Sequence, residues 1–178
     1  MRTLLPDPAP AEFEKLLERR RKWGADTRDE VWEGVLHMNP APHRRHAKIQ
    51  ARLLELLGPP ARARGLTPLG EFNLGELENY RVPDGGLHRP GPDELYNATA
   101  ALVIEIVSPN DETSDKLPFY AAHQVDELLI VDPETRTVNW LSLNQGEYRP
   151  TEQSRLISVS PAELVEQIDW PTIEPQDR

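Results

Sequence analysis

Apolar positions along this chain recur in two rhythms, one at every third or fourth residue and one at every residue or every second. The switches between them mark out the elements. After a stiff Pro6-Asp7-Pro8-Ala9-Pro10 leader, Phe13, Leu16, Leu17 and Arg20 follow helical spacing in a charged segment that ends near Gly24. Glu30 to Met38 reads as a strand pair or bent strand, with Glu33-Gly34 as the turn and Asn39-Pro40 closing it. A second helix is predicted from Pro42 to about Leu57, because Ile49, Leu53, Leu56 and Leu57 fall at i, i+4, i+7 and i+8. Gly58-Pro59-Pro60 is expected to break it. Thr67 to Leu74 and Glu78 to Val82 look like short strands, and His88 to Asn97 like a loop.

The strongest strand signal is Ala101-Leu102-Val103-Ile104-Glu105-Ile106-Val107, whose near-continuous apolar run predicts a central strand buried on both faces. A third helix is expected from Thr113–Asp115 to about His123, with Pro118 in its first turn. Glu127 to Val131 and Thr137 to Leu143 read as partner strands around an Asp132-Pro133-Glu134-Thr135 turn. Gly146 to Arg149 could add a strand, and Ser160 to Gln167 a short helix capped by Ser160 with Pro161 first. Trp170 to Arg178 reads as a loose tail.

With 178 residues, one domain is the default. The 18 prolines against 10 glycines predict stiff connections and few long helices. The absence of cysteine removes disulfides, thiolate metal sites and cysteine nucleophiles, so any metal must be held by oxygen or imidazole. The start lacks the order of a signal peptide, and the best apolar run is too short to span a bilayer, so the expectation is a cytoplasmic protein with no membrane partner. The net charge of −10 is unevenly spread: residues 1–66 carry +4 and residues 67–178 carry −14. Either this asymmetry is a chance feature of a solvated face, or it marks a phosphate-binding surface, which then belongs in the first third. There Arg44, Lys48 and Arg52, spaced by four, form a basic stripe that either contacts phosphates or is the solvated side of an amphipathic helix.

The chemistry lies in Pro83-Asp84, then Glu105 inside the apolar strand, then Lys116 at the start of the next helix. A carboxylate within Leu-Val-Ile-Glu-Ile-Val is costly unless it is paired with a cation or bound to a metal. Two carboxylates on adjacent strands can hold a hard cation such as Mg²⁺ or Mn²⁺, and a nearby lysine can orient or deprotonate an attacking water and offset charge developing on a phosphate.

At these residues the sequence resembles the PD-(D/E)xK nuclease superfamily, and within it the restriction-endonuclease branch called the Uma-two family. The resemblance runs from about Glu30 to Leu143. It includes Glu33-Gly34, Pro40-x-Pro42-x-x-x-His46, Pro83-Asp84, Glu105-Ile106-Val107-Ser108-Pro109, Lys116-x-x-x-Tyr120 and Glu127 through Pro133. It implies an α/β, restriction-endonuclease-like fold, a mixed central sheet flanked by helices. It also implies a metal-dependent endonuclease acting on DNA, with Asp84, Glu105 and Ile106 as ligands of Mg²⁺ or Mn²⁺ and Glu33 as a further acidic member. Val107 stands where the superfamily usually has its lysine, and Lys116 is the expected substitute. Gly85-Gly86 follow Asp84 where the family pattern is usually apolar strand, and are expected to loosen that backbone.

His46 lies on the helical face of Ile49 and Leu53, as either a site hydrogen-bonding group or a satisfied core histidine. Tyr120 is expected to pack beside Lys116, and Gln124 to end the helix. No phosphate-cradling glycine loop, zinc H-E-x-x-H or G-x-S-x-G elbow is present. Two functions remain in competition. One is an active nuclease, for which a homodimer is plausible since cutting a duplex is most simply done by two copies; the other is a non-catalytic module of the same fold that binds nucleic acid or protein.

Overall fold

The computed structural model describes residues 11–109 and 112–172. The Pro6–Pro10 leader and the end of the expected tail, residues 173–178, lie outside them.

The chain runs α1 (Ala11–Trp23), β1 (Glu30–Trp32), β2 (Val35–His37), α2 (Arg44–Ala63), β3 (Thr67–Leu69), β4 (Asn73–Glu76), β5 (Asn79–Arg81) and β6 (Gly85–His88). It continues through β7 (Tyr96–Asn97), β8 (Leu102–Ile106), α3 (Thr113–Ala122), β9 (Glu127–Asp132), β10 (Thr137–Asn144), β11 (Glu147–Pro150) and α4 (Pro161–Gln167). The mixed α/β class is as the sequence implies, but the strands divide into two sheets rather than one. The larger has the order β11-β10-β9-β8-β6-β3, and the smaller β2-β1-β5-β4-β7.

β8 is central in the larger sheet, parallel to β9 and antiparallel to β6, and every one of its residues is buried. Alternation along it separates two cores. Leu102, Ile104 and Ile106 face Ile49, Leu53 and Leu57 of α2, together with Trp140 and Leu164. Val103 faces the other way, among Leu74, Phe119, Tyr120 and Leu128. Glu105 is two residues beyond Val103 and shares its face, so its carboxylate is directed toward α3 and the smaller sheet.

Three expectations about prolines and glycines are resolved differently by the structure. α2 continues through Gly58-Pro59-Pro60 to Ala63. Each proline forfeits a helical hydrogen bond, yet Leu57 and Ala61 are fully buried one turn apart, and that burial outweighs the loss. The helix ends at Gly65, whose φ of +72° is left-handed. Its N–H donates to Arg62 O and the Leu66 N–H to Ala61 O, which satisfies the last carbonyls. Pro118 sits in the second turn of α3 rather than its first. Gly85-Gly86 do not loosen the chain, because β6 pairs with both β3 and β8. A Cβ on Gly86 would come within 2.5 Å of Leu102 O and 2.8 Å of the Phe72 ring, so the glycines permit a close approach that carries Asp84 to the central strand.

Other readings hold. Glu33 (φ 50°) and Gly34 (φ 81°) make the tight turn between β1 and β2. Ser160 caps α4 in a reciprocal box with Glu163, and Pro161 leads the helix. Trp170 is better anchored than a loose tail implies, since its Nε1 donates to Val165 O at 2.8 Å. Among the described residues no helix is long and apolar enough to cross a membrane.

Candidate active site

Asp84 immediately precedes β6. Because Gly85 pairs with Ile104, one step back along β6 sets Asp84 beside Glu105 on the adjacent strand. The Asp84 carboxylate is anchored at both oxygens: Oδ1 lies 2.7 Å from His46 Nε2, and Oδ2 accepts the Ile106 N–H at 2.8 Å. Gln50, one turn after His46 on α2, donates to the Asp84 carbonyl at 2.6 Å. His46 Nδ1 is 3.4 Å from Ser108 Oγ. His46 is thus a hydrogen-bonding group of the site.

Glu105 meets two donors that stand one turn apart on α3, the spacing that places side chains on one helical face. Lys116 Nζ donates to Glu105 Oε1 at 3.1 Å, and the buried Tyr120 hydroxyl donates to the same oxygen. Tyr120 therefore does more than pack. Lys116 also donates to Glu30 Oε1 at 3.0 Å. Glu30, on β1, is held further by the Val82 N–H (2.8 Å) and Trp32 Nε1 (2.7 Å). The elements that carry Glu30 and Lys116 are fixed to one another by Arg81, whose guanidinium stacks between Trp32 and Phe119 at 4.3 and 4.1 Å.

Glu30, rather than Glu33, is the acidic residue that the fold brings to this group. Glu33 is exposed in the β1–β2 turn, its N–H held by Asn79 Oδ1. A signal for Glu30 was present, since it alternates with Trp32 on one strand face and is thereby carried inward. Arg44 and Lys48 are exposed along α2, whereas Arg52 departs from the stripe: its Nε donates to Gln167 O at 3.0 Å and its Nη1 to Glu55, tying α4 to α2. Gln124 ends α3 with its side chain on Ala121 O.

Burial pushes Glu105 up to about 7. The Lys116 charge opposes this, the charges of Asp84 and Glu30 add to it, and the Tyr120 hydrogen bond opposes it. Burial alone would pull Lys116 down, but the charges of Glu105 and Glu30 and the hydrogen bonds to both overrule it and hold the ammonium above its ordinary range. Tyr120 is pushed well up, by burial first and then by Glu105. The other buried acid of the large sheet, Glu127, forms no such centre. It is satisfied by Trp140 Nε1, Ser154 Oγ and the Arg155 N–H, neutral donors that lock the C-terminal segment onto β9 and β10.

Asp84, Glu105, Glu30, Lys116 and His46 line a cleft of about 720 Å³. Both donors to Glu105, Lys116 and Tyr120, fall on Oε1. No three histidine, aspartate or glutamate side chains among those residues converge into a metal-binding group.

Residues 10–172 match the Uma2 family, described as "Putative restriction endonuclease". The chain belongs to the Uma2 family. A crystal structure of a putative nuclease of DUF820 from Anabaena variabilis is similar to this Uma2 chain with a TM-score of 0.64 and 18% identity, covering 78% of this chain and 90% of that one. The DrdV–DNA complex matches with a TM-score of 0.40 and 18% identity, over 86% of this chain and 13% of that one. No curated protein matches. The restriction-endonuclease-like fold follows from the family and the first of these structures.

Proposed function

We propose that this Uma2 protein is a Mg²⁺- or Mn²⁺-dependent endonuclease that hydrolyses phosphodiester bonds in DNA. The observation that carries the reading is the meeting of Asp84 and Glu105 at the head of a cleft, with Lys116 fixed behind Glu105.

The donor set fits a hard divalent cation. The two protein donors to Glu105 share one oxygen, its carboxylate is destabilised by burial and by neighbouring acids, and oxygen ligands are what such cations take. The Ile106 N–H points at Asp84, and a strand residue's N–H and C=O lie on one side. The Ile106 carbonyl thereby faces the same edge, and Asp84, Glu105 and Ile106 O are the groups that would hold the ion. When bound, such a cation polarises a phosphate oxygen and offsets the charge that develops on it.

The remaining work falls to the chain's own residues. Lys116 stays an ammonium, so it orients a water or donates to a phosphate oxygen and does not accept a proton. Glu30 fixes the direction of Lys116, and Tyr120 fixes that of Glu105. His46 and the Ile106 N–H set the Asp84 carboxylate. Two copies would suit cleavage of both strands.

A second reading, a non-catalytic module that binds nucleic acid or protein, is favoured by one observation: both Asp84 oxygens are already taken by protein donors. Strand cleavage by purified protein decides between them. Nicking of plasmid that needs Mg²⁺ or Mn²⁺ and is abolished in Glu105→Gln supports the nuclease; intact plasmid supports the module.

A further inference from the structure

Three long cationic side chains line the cleft, and two are each held by two or more partners. Lys116 lies between Glu30 and Glu105. Arg20 donates through Nε to Asp29 at 3.0 Å and through Nη2 to Ala25 O at 2.6 Å. The third, Arg28, differs. Its one side-chain partner among the described residues is Glu71, which lines a separate neighbouring cavity. Its backbone is fixed, because its carbonyl accepts from Asn39 Nδ2 at 3.0 Å and the next residue, Asp29, is gripped by Arg20 and the Asn39 N–H. The guanidinium is thus delivered to the cleft wall by a rigid segment, with one carboxylate tether and further N–H donors unspent.

Its electrostatic surroundings point to an anion. Arg28 shares the cleft with Asp84: burial pulls the guanidinium down, and the Asp84 charge opposes this. The tether is itself connected to that residue: Gln50 Nε2 reaches Glu71 Oε1 at 3.1 Å and the Asp84 carbonyl at 2.6 Å. A planar guanidinium that pairs with a carboxylate is equally suited to a phosphate, which also presents anionic oxygens. The Arg28–Glu71 pair is partly buried, and exchanging Glu71 for a phosphodiester keeps the guanidinium paired with an anion.

We infer that Arg28 is the phosphate-binding residue of the cleft, and that Glu71 competes with nucleic acid for it. This rests on the nuclease reading of the same site. It gives Glu71 a restraining part, so that Arg28 closes on the backbone only when a polyanion displaces the carboxylate.

The two members of the pair should respond oppositely, which a structural ion pair would not do. Binding of a short fluorescein-labelled DNA duplex is followed by anisotropy in Ca²⁺ over a range of salt, with thermal melts as folding controls. Arg28→Ala is expected to weaken binding about tenfold and to lower the slope of log K against log salt by about 0.9, the loss of one phosphate contact. Arg28→Lys should keep the slope and part of the affinity. Glu71→Gln, which leaves an acceptor for Gln50, should tighten binding several-fold. If both partners weaken binding alike, or Arg28→Ala leaves the slope unchanged while wild type binds, the assignment of Arg28 is overturned and the nuclease reading stands. Wild type that binds no duplex overturns both.

Discussion

Glu30 and Lys116, 86 residues apart, meet at 3.0 Å, and the same ammonium reaches Glu105 at 3.1 Å. This makes Lys116 a structural cation as well as a functional one. Removing it leaves two buried carboxylates facing each other. Lys116→Ala is therefore expected to lower stability by about 3–5 kcal/mol at pH 8. The loss should be smaller at pH 5, where Glu105 can take up a proton. Denaturant unfolding at the two pH values checks this, and equal losses would count against the shared pair.

Glu105 sets a pH dependence of the metal-free protein. Its ordinary value of 4.5 rises to about 7 in the folded state, so the native form binds the extra proton. Stability is then greatest below about 4.5 as far as this group is concerned, and falls as pH rises toward 7. The change amounts to roughly 3 kcal/mol. In Glu105→Gln this fall should be absent, so melting temperatures of the two proteins should diverge above pH 5, with the variant the more stable. Parallel curves would refute the burial-driven shift.

Mg²⁺ or Mn²⁺ should raise the melting temperature of wild type through preferential binding to the folded state. Asp84→Asn keeps an acceptor for the Ile106 N–H but loses the charge, and should show a clearly smaller shift. The same shift in both would remove Asp84 from the ligand set.

Along α2, Arg44 and Lys48 remain exposed and Arg52 does not take part, since it holds Gln167. Arg44→Gln with Lys48→Gln should reduce the salt slope of DNA binding by about 2 at unchanged melting temperature. Arg52→Gln should instead lower the melting temperature and leave the slope alone. The opposite pattern would reverse these assignments.

Much of this arrangement was legible in the residues. A carboxylate inside Leu102–Ile106 demanded a partner, and α3 supplies Lys116 and Tyr120 at the i, i+4 spacing that α-helical geometry dictates. What was hidden depended on contacts distant in sequence. α2 passes its two prolines because Leu57 and Ala61 are buried by β-strands that local patterning does not register. The acidic residue beside Lys116 is Glu30 and not Glu33, because the turn that favours Glu33-Gly34 also turns Glu33 out to solvent. Arg28 and Gln50 carried no motif at all; only the fold brings them to Asp84.

The central claim is that Asp84, Glu105 and Lys116 form a metal-dependent phosphodiesterase centre. Conversion of supercoiled plasmid to nicked and linear forms measures it most directly, with Mg²⁺, with Mn²⁺ and with EDTA. Wild type should cut with either metal and not with EDTA, and Glu105→Gln, purified identically, should be slower by a hundredfold or more, the loss expected when a group acting in the transition state is removed. Equal cutting by wild type and Glu105→Gln, or no cutting by wild type with either metal, would contradict it.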